Sequence, residues 1–342
     1  MRRRFLLLAA LIPLILGPFV LIALYVELPI LVLEPGPAPD VAERSKIAAQ
    51  TFPSKGSIHL TTARVNAPGG STAVEILEGL LDGDKHVLPR EAVYPSGRSD
   101  EQTEGVQAAQ MTQSESAAAT AALNALGMPS IEDGVFVNEV VTGAPAARRI
   151  EAGDVIVTIE GSPVTTVSQL ESALEMRKPG DDVAIEVRRG GDTKKLTVST
   201  AESSDEKGRA EIGVKVSQSH RSPIEIAIDA EDIGGPSAGL MFALSIYDRL
   251  IPEDLTGGRK IAGTGTIENT ADRSARVGEV GAVDLKIKAA RKIGADVFVV
   301  PRGEAREARA AAAPNMTVIA VSTLSDAISQ LRRLAQAPAE RS

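Results

Sequence analysis

The longest apolar run in the chain comes first. After Met1-Arg2-Arg3-Arg4, no charged residue occurs from Phe5 to Val26. A run of about 22 residues is long enough to cross a hydrocarbon core, even with Pro13, Gly17 and Pro18 weakening a helix. A secretory signal peptide is the alternative, but its apolar stretch is ordinarily only about 7–15 residues, and no small-x-small cleavage site follows Val26. An uncleaved transmembrane signal anchor is therefore expected over residues 1–30. Three arginines before it and no matching cations after it place the N-terminus in the cytoplasm. The rest of the chain would then lie outside the cytoplasmic membrane, single-pass, with the globular body extracytoplasmic.

Beyond the anchor the periodicity changes repeatedly. Leu33-Glu34-Pro35-Gly36-Pro37-Ala38-Pro39 reads as an extended linker within residues 31–53. Gly56 to Thr62 alternates as a strand, and Glu101 to Leu126 forms a long polar helix with small Ala and Gln faces. The strand is expected to join a sheet built further along the chain. From Gly134 the pattern is β-rich. Gly134 to Val141 is a strand, Gly143-Ala144-Pro145-Ala146 opens a short helix, and Gly153 to Gly161 is a second strand. A helix near Val167 to Met176 and two strands split by Arg189-Gly190-Gly191-Asp192 follow. The last third alternates helix and strand. Helices are expected from near Ser237, from Val283 to Gly294 and, solvated, from Arg302 to Ala313. Buried strands are expected at Ala295 to Pro301 and Met316 to Val321.

Composition narrows the function. The formal net charge of −8 argues against a nucleic-acid partner, and 3% aromatic residues without tryptophan leave no base-stacking surface. With no cysteine, the chain holds together without disulfides. No H-E-x-x-H or G-x-x-x-x-G-K-[ST] motif occurs, so neither a metal nor an ATPase is indicated, and no cofactor is expected.

Chemistry concentrates at Gly235-Pro236-Ser237-Ala238-Gly239, which fits G-x-S-x-G. Small residues admit a substrate backbone, Pro236 fixes the start of a helix, and free N–H groups there suit an oxyanion. A serine N-cap looks the same. An α/β-hydrolase elbow needs a histidine downstream, and His59, His86 and His220 all lie upstream of Ser237. His220 with Asp229 or Asp232 would serve only in another chain order, as an esterase of that kind would require. A serine–lysine pair remains. On the Val283 to Gly294 helix, Lys286 falls inside the apolar stripe of Val283, Ile287, Ala290 and Ile293, opposite Asp284, Lys288, Arg291 and Lys292. Burial there would lower its pKa toward that of a neutral base, whereas snorkelling to water is the structural alternative.

These residues resemble Lon-type proteases. Gly234-Gly235-Pro236-Ser237-Ala238-Gly239-Leu240 looks like the family's nucleophile motif, and Arg276 to Lys286 resembles its lysine segment. Ala262 to Ile267 resembles the preceding strand and turn, which carries Thr264 over as an auxiliary residue near the dyad. The likeness covers roughly residues 205–335 and departs at Gly234, where many members have an acid, and at Ala282. It implies Ser237 and Lys286 as catalytic residues, with Gly235, Pro236 and Ala238 forming the oxyanion turn. Lon-type domains often form rings, so a homo-oligomer is compatible with it.

The β-rich stretch resembles bacterial PDZ domains, most specifically in its Gly-x-Pro-Ala segment and Ala152-Gly153-Asp154-Val155-Ile156. That likeness implies that Gly134, Val135, Phe136 and Val137 line a peptide-binding groove. The expected fold class is α+β, with an N-terminal transmembrane helix and a PDZ domain at 127–203. That domain is inserted before a Lon-type proteolytic domain at 204–335, after an N-terminal part at 54–126 and ahead of a polar tail at 336–342. The expected function is an ATP-independent, membrane-anchored serine endopeptidase acting on peptides or unfolded proteins. A non-catalytic, membrane-tethered PDZ scaffold or holdase is the alternative.

Overall fold

A computed structural model describes residue 21 and residues 23–66, 69–94, 100–203, 206–230, 235–268 and 275–336. Among these residues no helix is long and apolar enough to cross a membrane. That finding corrects the expected transmembrane helix and single-pass membrane localisation. Of Phe5 to Val26, only Leu21 and residues 23–26 are described; residues 5–20 and 22 lie outside the described residues. The described part is a helical stretch that passes straight into a strand, Glu27–Leu28, paired antiparallel with Ser71–Thr72 of the body.

β1 (Ile30–Pro35) follows, with Leu31 and Val32 buried. The chain continues through β2 (Ser57–Leu60), β3 (Ala63–Val65), α1 (Ala73–Leu81) and β4 (His86–Pro89). β3 and β4 flank β1 in an antiparallel sheet, whereas β2 belongs to a different one. α1 starts on a reciprocal cap: Thr72 Oγ1 accepts the Glu75 N–H, and the Glu75 carboxylate accepts the Thr72 N–H.

α2 (Asp100–Ala125) is long and lacks a conventional apolar stripe, but its second half is lined with alanine. Ala117, Ala118, Ala119, Ala121 and Ala122 are buried in the main core, where small side chains let another helix approach closely. The helix therefore packs on its own chain.

The β-rich module comprises β5 (Ile131–Val140), β6 (Val155–Ile159), α3 (Val167–Glu175), β7 (Asp182–Arg189), β8 (Asp192–Ser199) and β9 (Val214–Arg221). Strand order is β8-β7-β6-β5-β9, so the sheet takes in a strand beyond residue 203, where the module was expected to end. Alternation sets its core: Val183, Ile185 and Val187 of β7 point in, against Val135, Val137 and Ile156. The Gly153-Asp154 motif has a physical role. Asp154 is fully buried, accepts the Glu151 N–H at 2.9 Å and pairs with Arg189.

The last unit contains α4 (Gly239–Leu250), β10 (Lys260–Gly263), α5 (Val283–Lys292), β11 (Val297–Pro301), α6 (Ala305–Ala311), β12 (Thr317–Val321) and α7 (Leu324–Gln336). Its parallel sheet runs β12-β11-β10-β2, and β2 pairs with β10 in register Ser57↔Lys260 across the whole intervening module. Every residue of β11 is buried, as a parallel strand covered on both faces requires. α4, buried from Gly239 to Asp248, is the central helix of the core. α6 is solvated except at Ala305 and Ala308.

Candidate active site

Ser237 occupies a 3-10 turn, Pro236–Ala238, between Gly235 and the first residue of α4. Gly235 has φ 79° and ψ 166°, a conformation that side-chain-bearing residues avoid, so the sharp approach to the serine needs a glycine. The turn is held from two sides. Ser237 O accepts the Gly265 N–H at 2.8 Å and the Thr264 hydroxyl at 3.1 Å. Pro236 O accepts the Ser114 hydroxyl of α2 at 3.0 Å. Thr264 is fully buried, with its hydroxyl on the serine's backbone carbonyl. The Gly239 and Leu240 N–H groups are committed to Pro236 O and Gly265 O.

Lys286 lies in the first half of α5, whose N-cap Ala282 adopts a left-handed conformation at φ 55°. It is 5% exposed, and the buried arc around it takes in Val283, Leu285, Ile287, Ala289 and Ala290. Burial lowers its pKa from the ordinary 10.5 to about 8, against a smaller upward pull from the Glu304 carboxylate. On the other face, Lys288 is 3.2 Å from Asp84 and 3.7 Å from Asp284.

Ser237, Gly235 and Lys286 line one cavity of ≈ 860 Å³, together with Ala282, Glu307, Tyr94 and residues of β3 and β4. The structure thus brings the two predicted catalytic residues to one surface. No hydrogen bond joins Ser237 Oγ to Lys286 among the described residues. His86 also lines this cavity, with Nε2 2.7 Å from Asp284 Oδ2. The pairing of β4 with β1, which carries it here, leaves no local mark in the sequence. His59 instead contacts Ala38 O and Ser57 Oγ, each at 2.9 Å, and His220 is buried in β9 away from the cavity. Asp232 lies outside the described residues. Among the described residues no group of three or more His, Cys, Asp or Glu could hold a metal ion.

One wall of the cavity was not anticipated. Among the described residues β3 has β1 on one side and no strand on the other. Gly36 N–H donates to Thr62 O, and Asn66 N–H to Val32 O, so Thr62 and Asn66 turn their backbone groups toward β1. By alternation, Ala63 and Val65 present theirs to the open edge, and both residues line the cavity.

The expected groove strand does not have such an edge. Gly134, Val135, Phe136 and Val137 lie in β5, which is paired with β9 on one side and β6 on the other. All four residues are buried, and a Cβ at Gly134 would sit 2.8 Å from Ile156 O. No peptide strand can add there; this corrects their assignment as the groove strand. The edge strands of the sheet are β8 and β9; the edge of β9 lies near α3, where Gln218 accepts the Val167 N–H and donates to Thr165 O.

A PDZ domain family model matches residues 110–200, and the module is a PDZ domain. Serine protease HTRA4 of Mus musculus is 43% identical over 72 residues, which make up 21% of this chain and 14% of that protein. The periplasmic pH-dependent serine endoprotease DegQ of Escherichia coli is 29% identical over 83 residues, 24% of this chain and 18% of that protein. The chain spans less than a fifth of the length of these curated relatives. Among solved structures, the PDZ domain of the SdrC-like protein from Listeria monocytogenes has 27% identity. That likeness covers 25% of this chain and 87% of that one, with a TM-score of 0.23. These relatives are HtrA-like, not Lon-type. The expected fold class is therefore corrected to a PDZ domain beside a mixed α/β unit, without a Lon-type assignment.

Proposed function

We propose that the chain is a serine endopeptidase in which Ser237 is the nucleophile and Lys286 its base, with the PDZ domain binding peptides. The observation that carries this reading is a deeply buried lysine on the same cavity as a serine in a glycine-preceded turn. A lysine with a pKa of about 8 is roughly one-tenth neutral at pH 7, enough to accept a proton. Lys286 Nζ takes the Ser237 proton as Oγ attacks the scissile carbonyl; the resulting ammonium returns it to the leaving amine, and water resolves the acyl-enzyme. Pro236 has no N–H and those of Gly239 and Leu240 are committed, so in this reading the Ser237 amide provides the oxyanion contact. Substrate lies extended along the open edge of β3, paired with Ala63 and Val65, so peptides and unfolded proteins are favoured over folded ones. In the PDZ domain, a peptide adds to the open edge of β9.

His86 with Asp284 favours a second reading, an imidazole base on the same cavity. Cleavage of casein separates the readings. Ser237→Ala and Lys286→Met should each lower kcat/KM by about 10³-fold or more, while His86→Gln retains most activity. Loss in His86→Gln with survival in Lys286→Met would make the imidazole the base. Equal behaviour of wild type and Ser237→Ala would leave the non-catalytic scaffold.

A further inference from the structure

Behind the lysine helix lies a carboxyl group with only one of its two oxygens hydrogen-bonded. Glu304 ends the 3-10 turn that follows β11 and stands at the N-cap of α6. Its Oε1 accepts the Val280 N–H at 3.0 Å. Its Oε2 is buried and has no hydrogen-bond partner among the described residues. Val280 lies two residues before Ala282, the left-handed cap from which α5 starts, and Ala282 O accepts the Lys286 N–H at 3.1 Å. One side chain thus ties the end of β11 to the turn that aims the lysine.

The charges around this pair are few. Glu304 faces Lys286, and Glu279 and Glu307 flank it. Burial raises the Glu304 pKa most; Glu279 and Glu307 raise it further, and the Val280 bond and Lys286 lower it. On α5 itself, Asp284 is engaged by His86 and Lys288. Glu307 Oε1 accepts the Asp284 N–H at 3.3 Å and lines the cavity with Lys286.

We infer that Glu304 is a positioning residue of the proposed reaction: it braces the turn from which Lys286 projects and provides the counter-charge for the ammonium that Lys286 becomes. The inference rests on the reading of Lys286 as base. In the acylation step the Ser237 Oγ–H bond breaks, an Nζ–H bond forms, and Oγ bonds to the substrate carbonyl carbon. Positive charge therefore appears on Nζ while Glu304 keeps its own protonation state. A nearby carboxylate stabilises that charge and strengthens the base.

Glu304→Gln separates brace from charge, because the amide oxygen still accepts from Val280 while the charge is gone. Two readouts on the full chain are compared: the pH profile of kcat/KM, and the titration of the Lys286 Cε in protein labelled with ¹³Cε-lysine, assigned through Lys286→Met. In wild type both midpoints are expected near pH 8. In Glu304→Gln both should move to lower pH by about one unit, with the high-pH plateau about three- to tenfold lower, and Glu304→Asp should restore part of each. Midpoints equal to wild type in Glu304→Gln would overturn the inference and leave Glu304 a structural brace alone. Cleavage that survives Lys286→Met overturns the reading of the base and this inference with it. In that case the Cε midpoint still moves, which tells the two failures apart.

Discussion

A lysine that is 5% exposed is a thermodynamic burden the chain carries at one position. The Lys286 pKa is about 8 when folded and 10.5 ordinarily. Between those values the unfolded chain binds a proton that the folded one does not, so stability falls as pH drops from 10.5 to 8 and the loss is complete below. The difference corresponds to about 3 kcal/mol. Lys286→Met, of similar shape and no charge, should therefore raise Tm at pH 7 while abolishing cleavage, and the gain should fade as pH approaches 10.5. Calorimetry of the two proteins across that range checks it; identical Tm values at pH 7 would mean the lysine is not held against the core. Both proposed catalytic residues were legible in the sequence for this reason. A charge inside an apolar stripe and a serine between glycines are local anomalies, visible without knowing the fold. Glu304 and His86 were not legible, because each acquires its neighbours only when distant segments pack.

At the scale of elements, α2 does more than its polar sequence suggests. Three consecutive residues reach three different places: Gln113 donates to Ser217 of β9 at 2.8 Å, Ser114 to Pro236 O, and Glu115 lines a cleft with Asp133, Arg188 and Glu225. Burial, with a smaller push from Asp229, raises the Glu115 pKa to about 7. Its carboxyl stays protonated in the folded protein up to about pH 7, whereas in the unfolded chain it ionises near 4.5. This contribution to stability is present below pH 4.5 and is lost as pH rises through 7. Glu115→Gln should accordingly raise Tm at pH 8 and leave it nearly unchanged at pH 4; an equal shift at both would exclude a buried, titrating carboxyl. Strands show the limit of pattern reading. Gly134 to Val137 was identifiable as a strand from its apolar run, but that it has no open edge depends on β9, some eighty residues later. Likewise β2 was legible as a strand, whereas the open edge of β3 follows only from the pairing with β1.

For the whole molecule, the chain combines a PDZ domain with a mixed α/β unit whose sheet is completed from both sides of that domain. The α/β unit holds the serine and lysine, while the identity to HtrA-like proteases is confined to the PDZ region. The apolar run at the N-terminus read as a membrane span, but its described part turns into a strand paired with the body, and no described helix is both long and apolar enough to span. The central claim, a serine activated by a buried lysine, is tested most directly by covalent labelling. The full chain is treated with a fluorophosphonate at pH 6 to 10, and the modified residue is identified by mass spectrometry. The account predicts a single adduct on Ser237, a labelling rate that rises through about pH 8, and loss of the adduct in Lys286→Met. An adduct on another residue, or a Ser237 rate unchanged by Lys286→Met, would contradict it.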